Sequence, residues 1–258
     1  MTGASRQENS GMDYPVKEWK GVRESAEFDY QWKELPSQRV EYSLDRVEEL
    51  LDFTGLPPSY FVGKKALDAG CGNGRYTFAL QQLGASVDSF DISRQAVERC
   101  KSINPHAYVF DLRNLTAPRS YDFVLCWGVL HHTENPRESF SRIASQVRPT
   151  GILHIMVYHK KTQRVYQEGR RLWRGMSLEQ KMRYCEEMVR RHGGNVHGWW
   201  DAFNPEFNFS FLPGEIKRWF EEEDFKDITL VSKYNINMRG VRRQSDGLAN
   251  CGYSTRPQ

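Results

Sequence analysis

The sequence holds no apolar run of membrane-spanning length and no secretory signal pattern, so neither a spanning helix nor export is expected. Its five cysteines (Cys71, Cys100, Cys126, Cys185 and Cys251) are odd in number, scattered and without any C-x-x-C pair. Neither a disulfide framework nor a thiolate zinc site is indicated, and a reducing, cytoplasmic location is the default. His131 and His132 are adjacent rather than i, i+4, so no metal is expected. A dominant charge is missing as well. Lys and Arg number 36 against 33 acids, a net +3, too little by itself to imply nucleic acid or a membrane partner. No internal repeat is visible. What is present is 258 residues, enough for one α/β domain with an elaboration and a large core.

One stretch organises the rest. An apolar β-type run, Lys65–Ala69, meets the turn Gly70-Cys71-Gly72-Asn73-Gly74, and a helical pattern follows with Tyr76, Ala79, Leu80 and Leu83, stopped by Gly84. Glycines tolerate positive φ and let a ligand approach the backbone. The helix opens with free N–H groups and partial positive charge, which suits an anionic ligand group. The dinucleotide fingerprint G-x-G-x-x-G is absent; the spacing here is G-x-G-x-G, with the acid Asp68 two residues ahead. A carboxylate there repels a pyrophosphate but pairs with an ammonium. Asp91 closes the next strand about twenty residues on, where a ribose diol is held. Amine, carboxylate and ribose together describe S-adenosylmethionine better than NAD.

Here the chain resembles the class I S-adenosylmethionine-dependent methyltransferases, in particular the small-molecule branch. The likeness rests on LDAGCGNGR at 67–75, SFDIS at 89–93, FDL at 110–112, YDFVLCWGVLHHTENP at 121–136 and RPTGILHIMVYH at 148–159, and runs over residues 30–243. The resemblance implies a Rossmann-like α/β, doubly wound sheet, mostly parallel with one antiparallel strand near the C-terminus, plus a helical cap insertion. It also implies roles. Asp68 lies near the methionine ammonium, with Gly70, Cys71, Gly72 and Arg75 along the methionine portion. Asp91 and Ile92 meet the ribose, Asp111 the adenine amino group, Leu112 the ring, and the Trp127 backbone the sulfonium. S-adenosylhomocysteine is the implied product.

Strands alternating with helices argue the same doubly wound sheet independently. A helix is predicted over residues 43–53, ended by Pro57-Pro58. Strands are predicted over 65–69, 87–90, 107–110, 121–127 and 152–158, with helices from Ser93 and over 136–147. Two helices are predicted in 160–192, where ten basic residues face four acids. A further helix covers 213–222, and closing strands lie at 228–234 and 238–243. The resulting division is 1–42 as a partly disordered segment and candidate lid, 43–159 as the cofactor-binding core, 160–211 as the cap for the acceptor, and 212–258 as C-terminal helix and closing strands. The last fifteen residues carry no reading.

Methyl transfer needs a base only where the acceptor must lose a proton. His131 and His132 follow the fourth strand and are candidate bases; the alternative is capping or packing. Asp201, in a D-x-F-x-P segment that also resembles one methyltransferase subgroup, is the candidate orienting acid. Candidate acceptor contacts are Tyr30 and Trp32 from the lid, with Tyr158, His159, Trp200, Phe203, Arg239 and Arg242; core packing competes for the aromatics. The basic insertion is either a solvated face or an electropositive rim, in which case the small-molecule acceptor is anionic. Rival functions are a methyltransferase of tRNA or another macromolecule, disfavoured because no RNA-binding module is attached, and a non-catalytic cofactor-binding protein.

Overall fold

The structure, a computed structural model, describes residues 22–35, 42–116, 118, 120–163, 166–232 and 235–244. Most of the candidate lid segment 1–42, including its aromatic residues Tyr14 and Trp19, and the stretch from 245 onward lie outside these residues. Among them seven strands form one sheet: β1 (Lys65–Ala69), β2 (Ser86–Asp91), β3 (Tyr108–Val109), β4 (Tyr121–Trp127), β5 (Val147–Val157), β6 (Phe225–Ser232) and β7 (Ile236–Arg242). Their order is β3-β2-β1-β4-β5-β7-β6. β1 to β5 pair in parallel. β7 runs antiparallel to both β5 and β6.

The apolar run of β4 from Phe123 to Trp127 shows why the sheet is covered on both faces. Side chains alternate across a strand, so Phe123 and Leu125 join one core with Leu50, Phe53, Tyr76 and Leu80. Val124 and Cys126 join the other, with Phe140, Ile143, Ile216 and Phe220. The first layer is built by α2 (Leu44–Thr54) and α3 (Arg75–Gln82), the second by α5 (Pro136–Ala144) and α10 (Pro213–Glu222). Each fully buried Phe or Leu contributes roughly 1.5–3 kcal/mol relative to exposure, so a charge at any position from Phe123 to Cys126 would be disruptive.

Several ends differ from the sequence reading. α2 stops at Thr54 because Gly55 adopts the left-handed conformation (φ 61°) and its N–H bonds Leu51 O, ahead of the two prolines. β5 begins five residues early, because Val147 already pairs with Tyr121 before the register shifts. By contrast α4 (Arg94–Cys100) begins as predicted, with Ser93 Oγ accepting the Ala96 N–H.

The remaining helices matter for the site. α1 (Val22–Glu34) precedes the core, and between β5 and α10 come α6 (Lys160–Gln163), α7 (Tyr166–Trp173), α8 (Leu178–His192) and α9 (Val196–Phe203). The odd Trp199-Trp200 stretch is therefore helix. Trp173, Cys185, Met188, Trp200 and Phe203 form a separate small core, against which Leu35 and Tyr30 pack. The chain leaves β1 toward β2 and β3 on one side and returns to β4 on the other. Such a reversal opens a crevice at the carboxyl ends of the strands.

Candidate active site

A cavity of about 370 Å³ fills that crevice, within the usual range for small-molecule sites. Its floor is the glycine turn after β1. The Gly70 and Cys71 N–H groups both donate to Phe90 O, at 2.8 and 2.9 Å, and hang the turn on the end of β2. Gly72 has φ 53°, and a Cβ there would come within 2.6 Å of the Trp32 ring from α1. Glycine is thus needed both for conformation and for the close approach of the helix above.

Two carboxylates stand on this floor. Asp68 is 2% exposed and accepts a 2.7 Å hydrogen bond from Thr77 Oγ1. Burial, with the Asp91 charge adding to it, pushes its carboxyl up to about 6. Asp91 accepts the Gly72 and Ser93 N–H groups, each at 2.8 Å. It too is pushed up to about 6 by burial, against the pull of those amides. Asp91 therefore ties the turn to β2 as well as facing the cavity. Asp111 accepts the Arg113 backbone N–H and pairs with the Arg113 guanidinium. Asn73 Oδ1, buried at this same turn, has no partner among the described residues. Cys71, Ile92, Leu112, Arg75 and Trp127 complete the lining at this end. The Arg75 guanidinium lies over the Tyr76 and Trp127 rings, at 4.6 and 5.0 Å. Trp127 Nε1 donates to Asn237 Oδ1.

The other end is closed by elements distant in sequence. Phe28, Gln31 and Trp32 of α1 line it, at i, i+3 and i+4. Asp29, on the same helix, accepts the Ser93 hydroxyl and the Gln95 N–H at the start of α4. After β4 a 3-10 turn, Leu130–His132, presents His132, whose Nε2 lies 3.5 Å from Asp201 Oδ2. Tyr158 OH donates to the same carboxylate at 3.1 Å, and Gln31 Nε2 donates to Asp201 Oδ1 at 3.2 Å. Burial pushes the Asp201 carboxyl up, but His132, His197 and Gln31 together outweigh it and hold the group below the usual carboxylate range.

The structure separates the sequence candidates. Asp68, Gly70, Cys71, Gly72, Arg75, Asp91, Ile92, Asp111, Leu112, Trp127, Trp32, His132, Tyr158 and Asp201 all line one cavity. Tyr30 does not: it stacks on Trp200 in the small helical core, because residues two apart on a helix cannot share a face with Trp32. Trp200 and Phe203 are buried in that same core. His131 is fully buried behind the lining, its ring 3.8 Å from that of Tyr158, and burial drives its imidazole well below the ordinary value. His159 Nδ1 accepts the Lys161 N–H outside the cavity. Arg239 and Arg242 also lie outside. β7 is antiparallel, so its start, Ile236, meets the carboxyl end of β5 while Val241 meets Ile152 at the far end. Arg242 accordingly donates to Ala144 O and lies over Phe225.

Sequence reasoning missed Phe28, Gln31, Arg113, Asn195 and His197, which line the cavity. For His197 a signal existed, since it stands four residues before Asp201 and shares its face once 196–203 is read as a helix. Among the described residues no Lys or Arg of the insertion lines the cavity, although the Arg170 charge acts on Asp201 and Tyr158, which do. Arg171, Arg174, Arg183, Arg190 and Arg191 are exposed, and Arg170 Nε donates to Ala202 O. Among the described residues no helix is long and apolar enough to cross a membrane.

A family model described as a methyltransferase domain matches residues 37–230. The sequence is 36% identical over 102 residues to a mitochondrial ubiquinone biosynthesis O-methyltransferase of Schizosaccharomyces pombe, covering 36% of this chain and 37% of that protein. The matched stretch spans less than half the length of the curated relatives, between 25% and 44%. Among solved structures, a magnesium protoporphyrin IX methyltransferase from Synechocystis PCC 6803 with bound S-adenosylmethionine superposes with a TM-score of 0.51 at 17% identity, covering 84% of this chain and 90% of that one. An S-adenosylmethionine-dependent methyltransferase from Mesorhizobium loti gives 0.52 at 16% identity, covering 78% and 100%. At these identities the likeness is one of fold.

Proposed function

The chain belongs to the methyltransferase-domain family, and from that premise we propose that it transfers a methyl group from S-adenosylmethionine to an oxygen or nitrogen of a small-molecule acceptor. The observation that carries the reading is the convergence of Asp68, the open glycine turn and Asp91 on one cavity at the switch in strand order. The residues present fit the cofactor. Two desolvated carboxylates and Asn73 Oδ1, which has no partner among the described residues, ask for a cationic or hydrogen-donating ligand, and a phosphate seated in the turn would set a like charge against Asp68. In this reading residues 160–211 form the acceptor cap and α1 the lid. The free thiols Cys71, Cys100, Cys126 and Cys185 support a reducing, cytosolic setting.

When bound, the cofactor supplies a methyl group on a sulfonium, already primed to leave. Asp68 and Asn73 Oδ1 hold the ammonium, and Asp91 takes the ribose hydroxyls on its remaining lone pairs. Ile92 and Leu112 flank the adenosyl portion, while Asp111, held in place by Arg113, meets the amino group of the base. Trp127 and the Gly70–Gly72 backbone fix the methionine chain. The chain's main contribution is alignment, worth roughly 7–11 kcal/mol where a near-attack geometry is held. α1 and α9 close over the reaction and exclude water. His132 takes a proton from the acceptor, and Asp201 steadies the imidazolium so formed.

Calorimetry with S-adenosylhomocysteine tests the reading. Submillimolar binding to the wild type is expected, with at least tenfold weakening in Asp91→Asn, which keeps one oxygen for the turn. Unchanged affinity in the variant would remove the ribose assignment.

A further inference from the structure

S-adenosylmethionine carries one anionic group, the carboxylate of its methionine portion, and no side chain assigned so far meets it. Asp68, Asp91 and Asp111 line the cofactor end of the cavity, so that carboxylate has to find donors away from them. Two arginines line the cavity as well. Arg113 is consumed by Asp111, at 2.6 Å. The Arg75 guanidinium lies over the Tyr76 and Trp127 rings, and among the described residues no carboxylate pairs with it. Its charge is uncommitted.

A second donor comes from the cap. Asp201 Oδ1 and His197 Nε2 both lie 3.2 Å from the same side-chain atom of Gln31. A carboxylate oxygen only accepts, so that atom is the amide nitrogen, and its two hydrogens go one to Asp201 and one to His197. His197 Nε2 therefore accepts, and the hydrogen of the ring sits on Nδ1. Charging the ring would not remove it, since an imidazolium carries hydrogen on both nitrogens. Burial, helped by the Arg75 and Arg99 charges, outweighs Asp201 and holds this imidazole below its ordinary value. Nδ1 is buried and has no partner among the described residues, so it is a desolvated donor that a ligand oxygen would satisfy. Its position suits the cofactor. The His197 and Trp32 rings pack with centroids 4.6 Å apart, and Trp32 in turn sits against Gly72, where a Cβ would come within 2.6 Å. One ring thus separates His197 from the glycine turn.

We infer that His197 of the cap and Arg75 of α3 together receive the carboxylate of the methionine portion, so that α9 binds the cofactor as well as covering the acceptor. The inference rests on the methyl-transfer reading above. A carboxylate offers two oxygens to charge-assisted hydrogen bonds, and each donor here lacks an acceptor of its own. Asp201 lies one helical turn beyond His197, where Gln31 and Tyr158 donate to it. The same helix thus meets the anionic end of the cofactor with a donor and the acceptor side with a carboxylate. Gln31 of the lid joins the two, because its one amide nitrogen both fixes the His197 tautomer and holds Asp201.

The test compares two probes by calorimetry, S-adenosylhomocysteine and its decarboxylated analogue, which keeps the adenosine, the sulfur and the amine and lacks only the carboxylate. Their dissociation constants should differ by about a hundredfold in the wild type, about tenfold for each charge-assisted contact. His197→Phe keeps a ring against Trp32 and removes the donor. It should narrow the gap to about tenfold by weakening S-adenosylhomocysteine alone. His197→Asn, whose amide nitrogen stands where Nδ1 stood, should restore most of the gap. A wild-type gap under about threefold overturns the inference, being too small for even one such contact. So does a folded His197→Phe in which both probes weaken alike and the gap persists, as loss of packing alone would give. If His197→Phe does not fold, His197→Gln, which offers Gln31 an acceptor and nothing at Nδ1, takes its place under the same limits. A wild type that binds neither probe sinks the cofactor reading itself, whereas equal binding of both leaves that reading standing and removes only this contact.

Discussion

Acidification should loosen the cofactor long before it unfolds the protein. Burial disfavours the charge on Asp68 and Asp91 and pushes both carboxyls up to about 6. Their unfolded value is 3.8, so each carries a shift of about two units, on the order of 3 kcal/mol. A raised acid stabilises the fold below its unfolded pKa and loses that contribution as pH rises through the folded one. Both groups therefore strain the unliganded protein above pH 6. Thermal melts would blur this. His131, His154 and His197 are lowered by burial, so the fold loses stability as pH falls below their ordinary value, in the opposite direction. Asp201 adds nothing in this window, since a lowered acid loses its contribution only as pH falls below about 4.

Ligand binding isolates the pair. An ammonium beside Asp68 and a diol on Asp91 require both carboxylates ionised. At pH 5 each is about nine-tenths protonated in the free protein, so binding must displace about one proton per group. The dissociation constant of S-adenosylhomocysteine should rise about tenfold per carboxylate from pH 7 to pH 5, up to about a hundredfold or roughly 2.7 kcal/mol for both. The ligand's own carboxylate and amine titrate outside most of this interval. Calorimetry in two buffers of different ionisation enthalpy would count the released protons directly. In Asp91→Asn the slope should halve. A constant within twofold of itself across pH 5 to 7, or one that tightens on acidification, would refute the placement of the cationic ligand on these carboxylates.

Three further outcomes follow from packing and geometry. Gly72→Ala combines a φ of 53° with a Cβ 2.6 Å from Trp32; it should cost about 1–3 kcal/mol in urea unfolding and weaken S-adenosylhomocysteine binding by dislodging α1. His132→Gln should lower turnover by ~10²–10⁴-fold in single-turnover assays with a phenol acceptor while leaving calorimetric S-adenosylhomocysteine affinity within about twofold; a full-rate variant would leave alignment as the sole mechanism. Phe140→Ala removes a ring fully buried against Trp219 and Phe220 and should destabilise by about 3–5 kcal/mol in urea titration, with the cofactor affinity of the folded fraction unchanged.

The two ends of the cavity were not equally legible, and the reason is physical. The cofactor end is built by a continuous strand–turn–helix unit and by single acids at strand ends. There the spacing of Asp68, Gly70, Gly72 and Asp91 in the chain is already their spacing in space. The parallel sheet was equally readable, because a strand buried on both faces is apolar over its buried length, as β4 is from Phe123 to Trp127. The acceptor end is assembled from α1, the turn after β4, the end of β5 and α9, which only tertiary packing brings together. Aromatic content drew attention to Tyr30, Trp200 and Phe203, yet those rings are what the small helical core consumes. Helical period would have sorted them. Reading 22–34 and 196–203 as helices sets Phe28, Gln31 and Trp32 on one face, and His197 with Asp201 on another, leaving Tyr30 and Trp200 to pack together. The arginines of β7 misled for a different reason, since proximity in sequence to the end of a sheet says nothing until strand direction is known. Asp201, which the D-x-F-x-P segment marked as an orienting acid, gathers partners that segment does not name. It accepts from Gln31 of the lid and Tyr158 of the sheet and stands against His132. In the proposed reaction, closure of α1, seating of the acceptor and handling of its proton would all meet on that one carboxylate. A substitution at Asp201 should therefore disturb lid and acceptor together, whereas one at Asp91 should disturb the cofactor alone.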